Sequence, residues 1–330
     1  KSIFTLSYQN FKEGRRDRDF GDTILYETKE KVNAYTSALD FIKKFGKSKL
    51  FYGLEYVYNK VNSLGKQTNL LNGASSETSP RYPDDSNWQS MAAYVSLQSK
   101  VAANLSLQLG LRYNHILLYA NYDNPFYDFP FVESDINTGA LTGSVGFNWQ
   151  ASEILGLRFN LSTAFRAPNI DDVGKIFDSE PGSVVLPNPD LKPEYAYNGE
   201  LGAVLKLGNK TRIDLTGYLT FLEDALVRRD YNINGQTEIF YQGELSNIQA
   251  IQNGGEAKIY GFEAGIEVNF TKNIQITSQY NYTGGHQTEE DDTKVAVRHV
   301  APQFGNIHFI WKHHKLKLDA YTIYNGQFDY

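Results

Sequence analysis

The chain has no cysteine and only one methionine and ten prolines in 330 residues. Without cysteine there is neither a disulfide framework nor a thiolate metal centre. Nowhere does the sequence reach the roughly 18 consecutive apolar residues that a membrane-spanning helix needs. Positive charge is not in excess: 32 Lys and Arg stand against 38 Asp and Glu, a net charge of -6. That balance argues against a nucleic-acid binder, because phosphate neutralisation needs a basic surface. The sequence opens at Lys1 directly in a strand-like pattern, without the charged, apolar and small-residue order of a signal peptide. Mean hydropathy is -0.45, which still permits a membrane barrel, whose strands hide their apolar half by alternation.

Aromatic residues are plentiful, with 23 Tyr and 20 Phe in an aromatic share of 14%. Tyrosine suits strands and water–lipid borders, where the ring is buried while the hydroxyl stays wet. A period of two recurs along the whole chain. Leu105, Leu107, Leu109, Leu111 and Tyr113 alternate with Ser106, Gln108, Gly110, Arg112 and Asn114. Ile213, Leu215, Gly217, Leu219 and Phe221 alternate with Arg212, Asp214, Thr216, Tyr218 and Thr220. A helix would scatter these residues around its axis, so the fold class is all-β and antiparallel. Many runs exceed the roughly 9–11 residues that cross a bilayer.

A soluble antiparallel sandwich alternates in the same way, and connection length separates the two architectures. Tight turns at 46–48, 151–154, 208–210, 271–273 and 313–314 interleave with long connections at 14–31, 63–86, 121–138, 167–193 and 286–300. Short turns on one side and long loops on the other are the pattern of a transmembrane barrel. Residues 224–252 read as one external, hairpin-like excursion, since a further crossing at 238–247 would put the tight 271–273 turn on the long-loop side. The tally is about thirteen crossings, whereas bacterial single-chain barrels have even numbers. Open edges in lipid leave backbone groups unsatisfied, so the expectation is an incomplete piece of barrel wall.

Two boxes stand out. Phe165, Arg166, Ala167, Pro168 and Asn169 end one strand, and Asn188, Pro189, Asp190, Leu191, Lys192, Pro193 and Glu194 lead into another. Proline fixes φ and cannot donate to a ladder, so the segment between the boxes is expected to be loop rather than paired sheet. Further on come NGGEAKIYGFEAGIEVNF at 253–270 and RHVAPQFGNIHFIW at 298–311. These four features, in this order, resemble the TonB-dependent outer-membrane receptors, while the N-terminal half matches in pattern rather than in motif. The resemblance implies a 22-stranded barrel around an N-terminal plug in the Gram-negative outer membrane. It implies a receptor that binds a scarce nutrient, such as a ferric siderophore or similar metal chelate, and imports it with energy relayed by the TonB complex. On that placement 1–330 is one partial barrel domain of about thirteen strands, with the plug and terminal strands outside it. Its partners are outer-membrane lipid, the TonB complex through the plug, and the small-molecule chelate. The resemblance also places Gly261 at a close backbone approach and Glu263 on the lumen face. The alternative is a passive porin-type channel.

Individual residues carry weaker signals. Arg166 suits either an anionic ligand at the mouth or an ion pair in the lumen, and the ion pair is favoured because buried charges need partners. Asn188 and Asp190 suit turn geometry, and Lys192 with Glu194 suits a local ion pair. Arg81 with Tyr82, Tyr122 with Phe126 and Tyr127, and Arg228 and Arg229 with Tyr231 offer rings and cations to an anionic chelate. His313 and His314 share a tight turn, and His286 and His299 flank the acidic run QTEEDDT, which reads as a solvated loop. In the haem-uptake branch of the family that the chain resembles, a ligating histidine lies between the two boxes; residues 167–187 hold none, which speaks against haem uptake by that arrangement. No metal site, cofactor site or catalytic motif is expected.

Overall fold

The computed structural model describes all of residues 1–330 except 124, 127, 128, 181, 242, 243, 289–292, 297–302 and 328–330, with the backbone alone for 177–180. Thirteen long strands dominate the described residues. The first seven are β1 (Ser2–Asp17), β2 (Ile24–Phe45), β3 (Ser48–Asn69), β5 (Ser86–Ala102), β6 (Leu105–Asn121), β7 (Glu133–Gln150) and β8 (Leu155–Arg166), with the short β4 (Ser75–Thr78) between β3 and β5. A helical turn, α1 (Ile170–Gly174), and the short β9 (Phe177–Glu180) and β10 (Ser183–Leu186) follow. The wall then resumes with β11 (Glu194–Leu207), β12 (Thr211–Asp230), β14 (Glu244–Asn269), β15 (Ile274–Thr288), β17 (Gln303–His313) and β18 (Leu316–Asn325). Short β13 (Glu238–Tyr241) and β16 (Lys294–Ala296) lie in its outer connections.

Each long strand pairs antiparallel with the next, from β1 through to β18. Among the described residues β1 pairs only with β2 and β18 only with β17. The tight turns all lie at one end, and left-handed backbone permits several of them, at Gly46 (φ 55°), Gly208 (φ 60°) and His314 (φ 50°). The expected thirteen crossings and one-sided long connections are therefore present.

Three expectations about the outer side need correction. Residues 14–31 and 63–86 are largely strand, since β1–β2 pairs as far as Asp17↔Tyr26 and β2–β3 as far as Ile24↔Asn69. The ladder continues there while the apolar period stops, because above the bilayer no lipid selects one face. At about 3.3 Å per residue a strand of this length reaches roughly 70 Å, more than twice the ~30 Å hydrocarbon core. The 224–252 excursion is shorter than expected, because β12 continues to Asp230 past an irregularity at Leu222/Ala225. The hairpin itself is present, with Glu238↔Asn247 through Tyr241↔Glu244. The segment between the two boxes is also not plain loop. It holds α1, β9 and β10, and β10 pairs in parallel with β14 from Ser183↔Asn247 to Leu186↔Ala250. Pro181 and Pro187 flank β10 in sequence without entering it, so Ser183, Val184, Val185 and Leu186 keep all their ladder donors.

The wall has two chemically distinct faces. One row reads Phe41, Tyr52, Val95, Leu111; the Phe41 and Tyr52 rings stack at 5.1 Å, and this is the lipid face. One residue along, the row reads Asp40, Gly53, Tyr94, Arg112. Tyr94 Oη lies across Gly53 to donate to Asp40 at 2.6 Å. Arg112 pairs with Glu55 at 2.7 Å, and this is the lumen face.

Toward the outer end the lumen face changes character. In β6 the even residues are polar at Arg112 and Asn114 but apolar at Ile116, Leu118 and Ala120, which are at most 2% exposed. Above Arg112, Leu118 and Ala120 meet Val61, Tyr122, Ile136, Ile170, Val173 and Leu191 in a hydrophobic cluster, fringed by Trp88, Phe129 and Phe131. A second cluster joins Ile176, Val184 and Leu186 to Ile233 and Ile248. The dry centre of this protein is a small cap at the outer mouth rather than the interior of a sandwich.

Candidate functional site

The cap is built by the segment between the two boxes, and its local chemistry explains both. Pro168 stops β8, and Asn169 then caps α1: its Oδ1 accepts from Asp171 N at 2.7 Å and Asp172 N at 3.1 Å. Asp172 completes the capping box by accepting from Asn169 N at 3.0 Å. Arg166 pairs with Asp172 and, at 3.5 Å, with Glu194. Arg166 and Glu194 also face each other across the last rung of the β8–β11 ladder. One guanidinium thus clamps strand end, helix and returning strand, so the ion-pair expectation holds with carboxylates from this same chain. Its Glu194 partner also accepts from Leu226 N at 2.8 Å, which replaces the expected local pair with Lys192.

The second box is stitched down in the same way. Asn188 Oδ1 accepts from Asp190 N at 3.1 Å, a turn of the expected kind, and Asn188 Nδ2 donates to Ile251 O at 2.8 Å. Pro187 is fully buried, and Leu191 is buried in the first cluster. Ser134 Oγ donates to Pro189 O. Lys192 and Asn253 exchange bonds of 2.7 and 2.8 Å. Pro193 closes the loop before β11. Gly261 lies under the Tyr218 ring, whose hydroxyl meets Thr283 Oγ1 at 2.8 Å. Glu263 is exposed two residues away on the same face, opposite Thr216.

The proposed ligand residues fall into different roles. Tyr122 is only 4% exposed and donates to Val173 O at 2.8 Å, with Phe131 edge-on at 5.1 Å. It is therefore a cap residue, and burial pushes its phenol up. Phe126 is half-buried beside it in sequence, and Tyr127 lies outside the described residues. The Arg81 guanidinium stands 5.5 Å from the centre of the Tyr82 ring, while Arg81 O accepts from Ile176 N. Tyr82 Oη donates to Asp171 at 2.7 Å, and burial together with that carboxylate raises the phenol's pKa. Arg229 reaches Gly254 O, Arg228 is exposed, and Tyr231 packs on the second cluster, where burial and nearby Asp190 raise its pKa. Arg81, Tyr82 and Tyr122 thus meet around α1, whereas Tyr231 sits at the other end of the cap. His299 and most of the acidic run at 287–293 lie outside the described residues.

Sequence reasoning missed Glu30 and Trp88. Trp88 Nε1 donates to Pro168 O at 3.3 Å, holding the start of the cap to β5. Beside it lies a cavity of about 650 Å³ lined by Phe11, Glu30, Val32, Tyr82, Trp88 and Asp171, among others. The readable signal was the unbroken apolar run at 116–120 in β6, where the lumen-side positions turn apolar at Ile116, Leu118 and Ala120 and are buried. Among the described residues no group of three or more His, Asp or Glu is arranged to hold a metal ion.

Comparison with known proteins agrees with this architecture. The family described as TonB dependent receptor-like, beta-barrel, matches residues 2–330. An iron-regulated outer membrane virulence protein of Vibrio cholerae serotype O1 is 24% identical over 309 residues, which is 93% of this chain and 41% of that protein. Hemoglobin-haptoglobin utilization protein B of Neisseria meningitidis serogroup A is 32% identical over 216 residues, 59% of this chain and 26% of that protein. Among solved structures the copper transporter OprC superimposes with a TM-score of 0.80 at 14% identity, covering 97% of this chain and 48% of that one. The siderophore receptor PirA of Acinetobacter baumannii gives 0.67 at 16% identity, covering 96% and 46%. The chain spans less than half the length of these relatives. With its profile matched almost end to end and its wall of antiparallel crossings, the chain belongs to the TonB-dependent receptor β-barrel family of the Gram-negative outer membrane.

Proposed function

We propose that this chain forms the ligand-capturing part of an importer wall, and that residues 1–330 are one portion of a larger barrel domain enclosing a plug. The cargo is an iron chelate, and uptake draws on energy relayed by the TonB complex. The observation that carries this reading is the cap: a folded segment, clamped by Arg166, covers the lumen face at the outer mouth. A passive pore has no use for a packed cover there, whereas a receptor needs a built surface at which to hold cargo. The names of the relatives point the same way, toward iron-regulated expression and siderophore or haemoglobin-derived cargo.

On this reading Phe165 to Asn169 and Asn188 to Glu194 shape the mouth, and Gly261 and Glu263 belong to the lumen wall. Arg81, Tyr82 and Arg228 are the candidates that keep surface for cargo. The test is growth of the source bacterium on ferric chelates as sole iron supply, with the full-length receptor present or deleted and with TonB present or deleted. Receptor-dependent growth that vanishes with TonB is expected. Receptor-dependent growth that persists without TonB would leave the passive channel standing instead.

A further inference from the structure

The cap does not explain the placement of Glu30 at the outer mouth. It lies on the lumen face of β2, opposite Glu13 on β1 and Ser63 on β3. It is only 7% exposed, and neither carboxylate oxygen has a hydrogen-bond partner. The Thr28 hydroxyl, two residues away on the same face, also lacks one. Of the neighbouring charges, Glu13 pairs with Arg15 at 2.6 Å, and Asp171 with Lys175 at 3.3 Å and with Tyr82 at 2.7 Å, while Lys12 also lines the cavity without bonding to Glu30. A buried, unpartnered carboxylate is costly. That cost is visible as a raised pKa, caused first by burial.

Glu30 forms part of the wall of the 650 Å³ cavity, together with Phe11, Val32, Tyr82 and Trp88. This volume suits a small organic group, and such sites combine apolar walls with few polar anchors. We propose that this cavity takes a cationic end of the cargo, an ammonium or guanidinium group on an aromatic or apolar body, with Glu30 as its counter-ion. A donor entering from the cavity satisfies the carboxylate without breaking an existing bond. The rings of Tyr82 and Trp88 favour the same charge through their faces. The apolar and aromatic walls suit an organic cation. This assignment deepens the importer reading and rests on it for its biological meaning, but not for its test.

The test uses the full-length receptor in detergent, with tyramine as probe and N-acetyltyramine as its uncharged analogue, titrated by calorimetry. A charge-assisted bond at a shielded carboxylate is expected to give tyramine about a tenfold to hundredfold advantage. Glu30→Gln is expected to abolish that advantage while leaving N-acetyltyramine unchanged. Equal binding of the two probes by the unaltered receptor overturns the proposal without any variant. A tyramine advantage that survives Glu30→Gln overturns it too. Failure of chelate-dependent growth would remove the importer reading and leave the probe preference standing, so the two claims fail separately.

Discussion

At the scale of single residues, Arg166 shows how one side chain can organise a mouth. Its two carboxylate partners, Asp172 and Glu194, are 9% and 14% exposed, while Arg166 itself is 45% exposed. Replacing it with alanine removes the counter-charge of two nearly buried acids and leaves each with a backbone donor. We expect Arg166→Ala to loosen the cap by about 1–2 kcal/mol, at the lower end of the range for a severed buried bond because solvent screens the exposed partner. Hydrogen exchange of α1 and β10 amides should accelerate while those of β6 and β12 stay protected; unchanged exchange in α1 would mean that Arg166 is not the clamp. This role was half legible in the sequence. The need for a partner followed from charge and strand position, but Asp172 was unforeseen because its link to Arg166 depends on a helical turn that no local pattern announced.

At the scale of elements, the wall depends on a tight fit between tyrosines and glycines. A Cβ on Gly261 would collide with Tyr282 O and with the Tyr218 hydroxyl, whereas one on Gly217 would meet only Gly261 O at 3.9 Å. Gly261→Ala should therefore cost about 1–3 kcal/mol, as overpacking does, and Gly217→Ala little. The yield of heat-modifiable, folded receptor on unboiled gels would report the contrast; equal yields would show that the sheet relaxes around the added methyl group. The strands themselves were readable wherever lipid imposed a period of two, as in β6 up to Tyr113 and in β12. They became unreadable above the bilayer, where residues 24–31 and 63–69 pair without apolar alternation. A ladder needs only backbone groups, so water on both faces erases the pattern and keeps the strand.

At the scale of the whole molecule, the wall and the cap are separate cooperative parts. The wall draws its stability from antiparallel ladders, and the cap from a compact cluster around Val173, which has no solvent exposure. Val173→Asp places a charge in that cluster and should open the cap without dismantling the wall. Proteolysis within 170–187 should rise sharply while heat-modifiable mobility persists. Resistance equal to that of the unaltered protein would mean that the cluster does not hold the segment down. The cap as a whole was hidden from the sequence reading because its contacts span β3, β5, β6, β7, β12 and β14, and such long-range packing has no local signature. The apolar run at 116–120, where alternation fails on the lumen side, was the trace it left.

The parallel rungs between β10 and β14 carry a mechanical implication. A cover held only by greasy contacts could slide or tilt by degrees. One that adds four residues in fixed register to a neighbouring strand must release those rungs together, since a slip of one position would take Val184 and Leu186 out of the second cluster and put Ser183 and Val185 in their place. Lifting of the cap is thus expected to be all-or-none, with the rungs and the grease giving way in a single stroke.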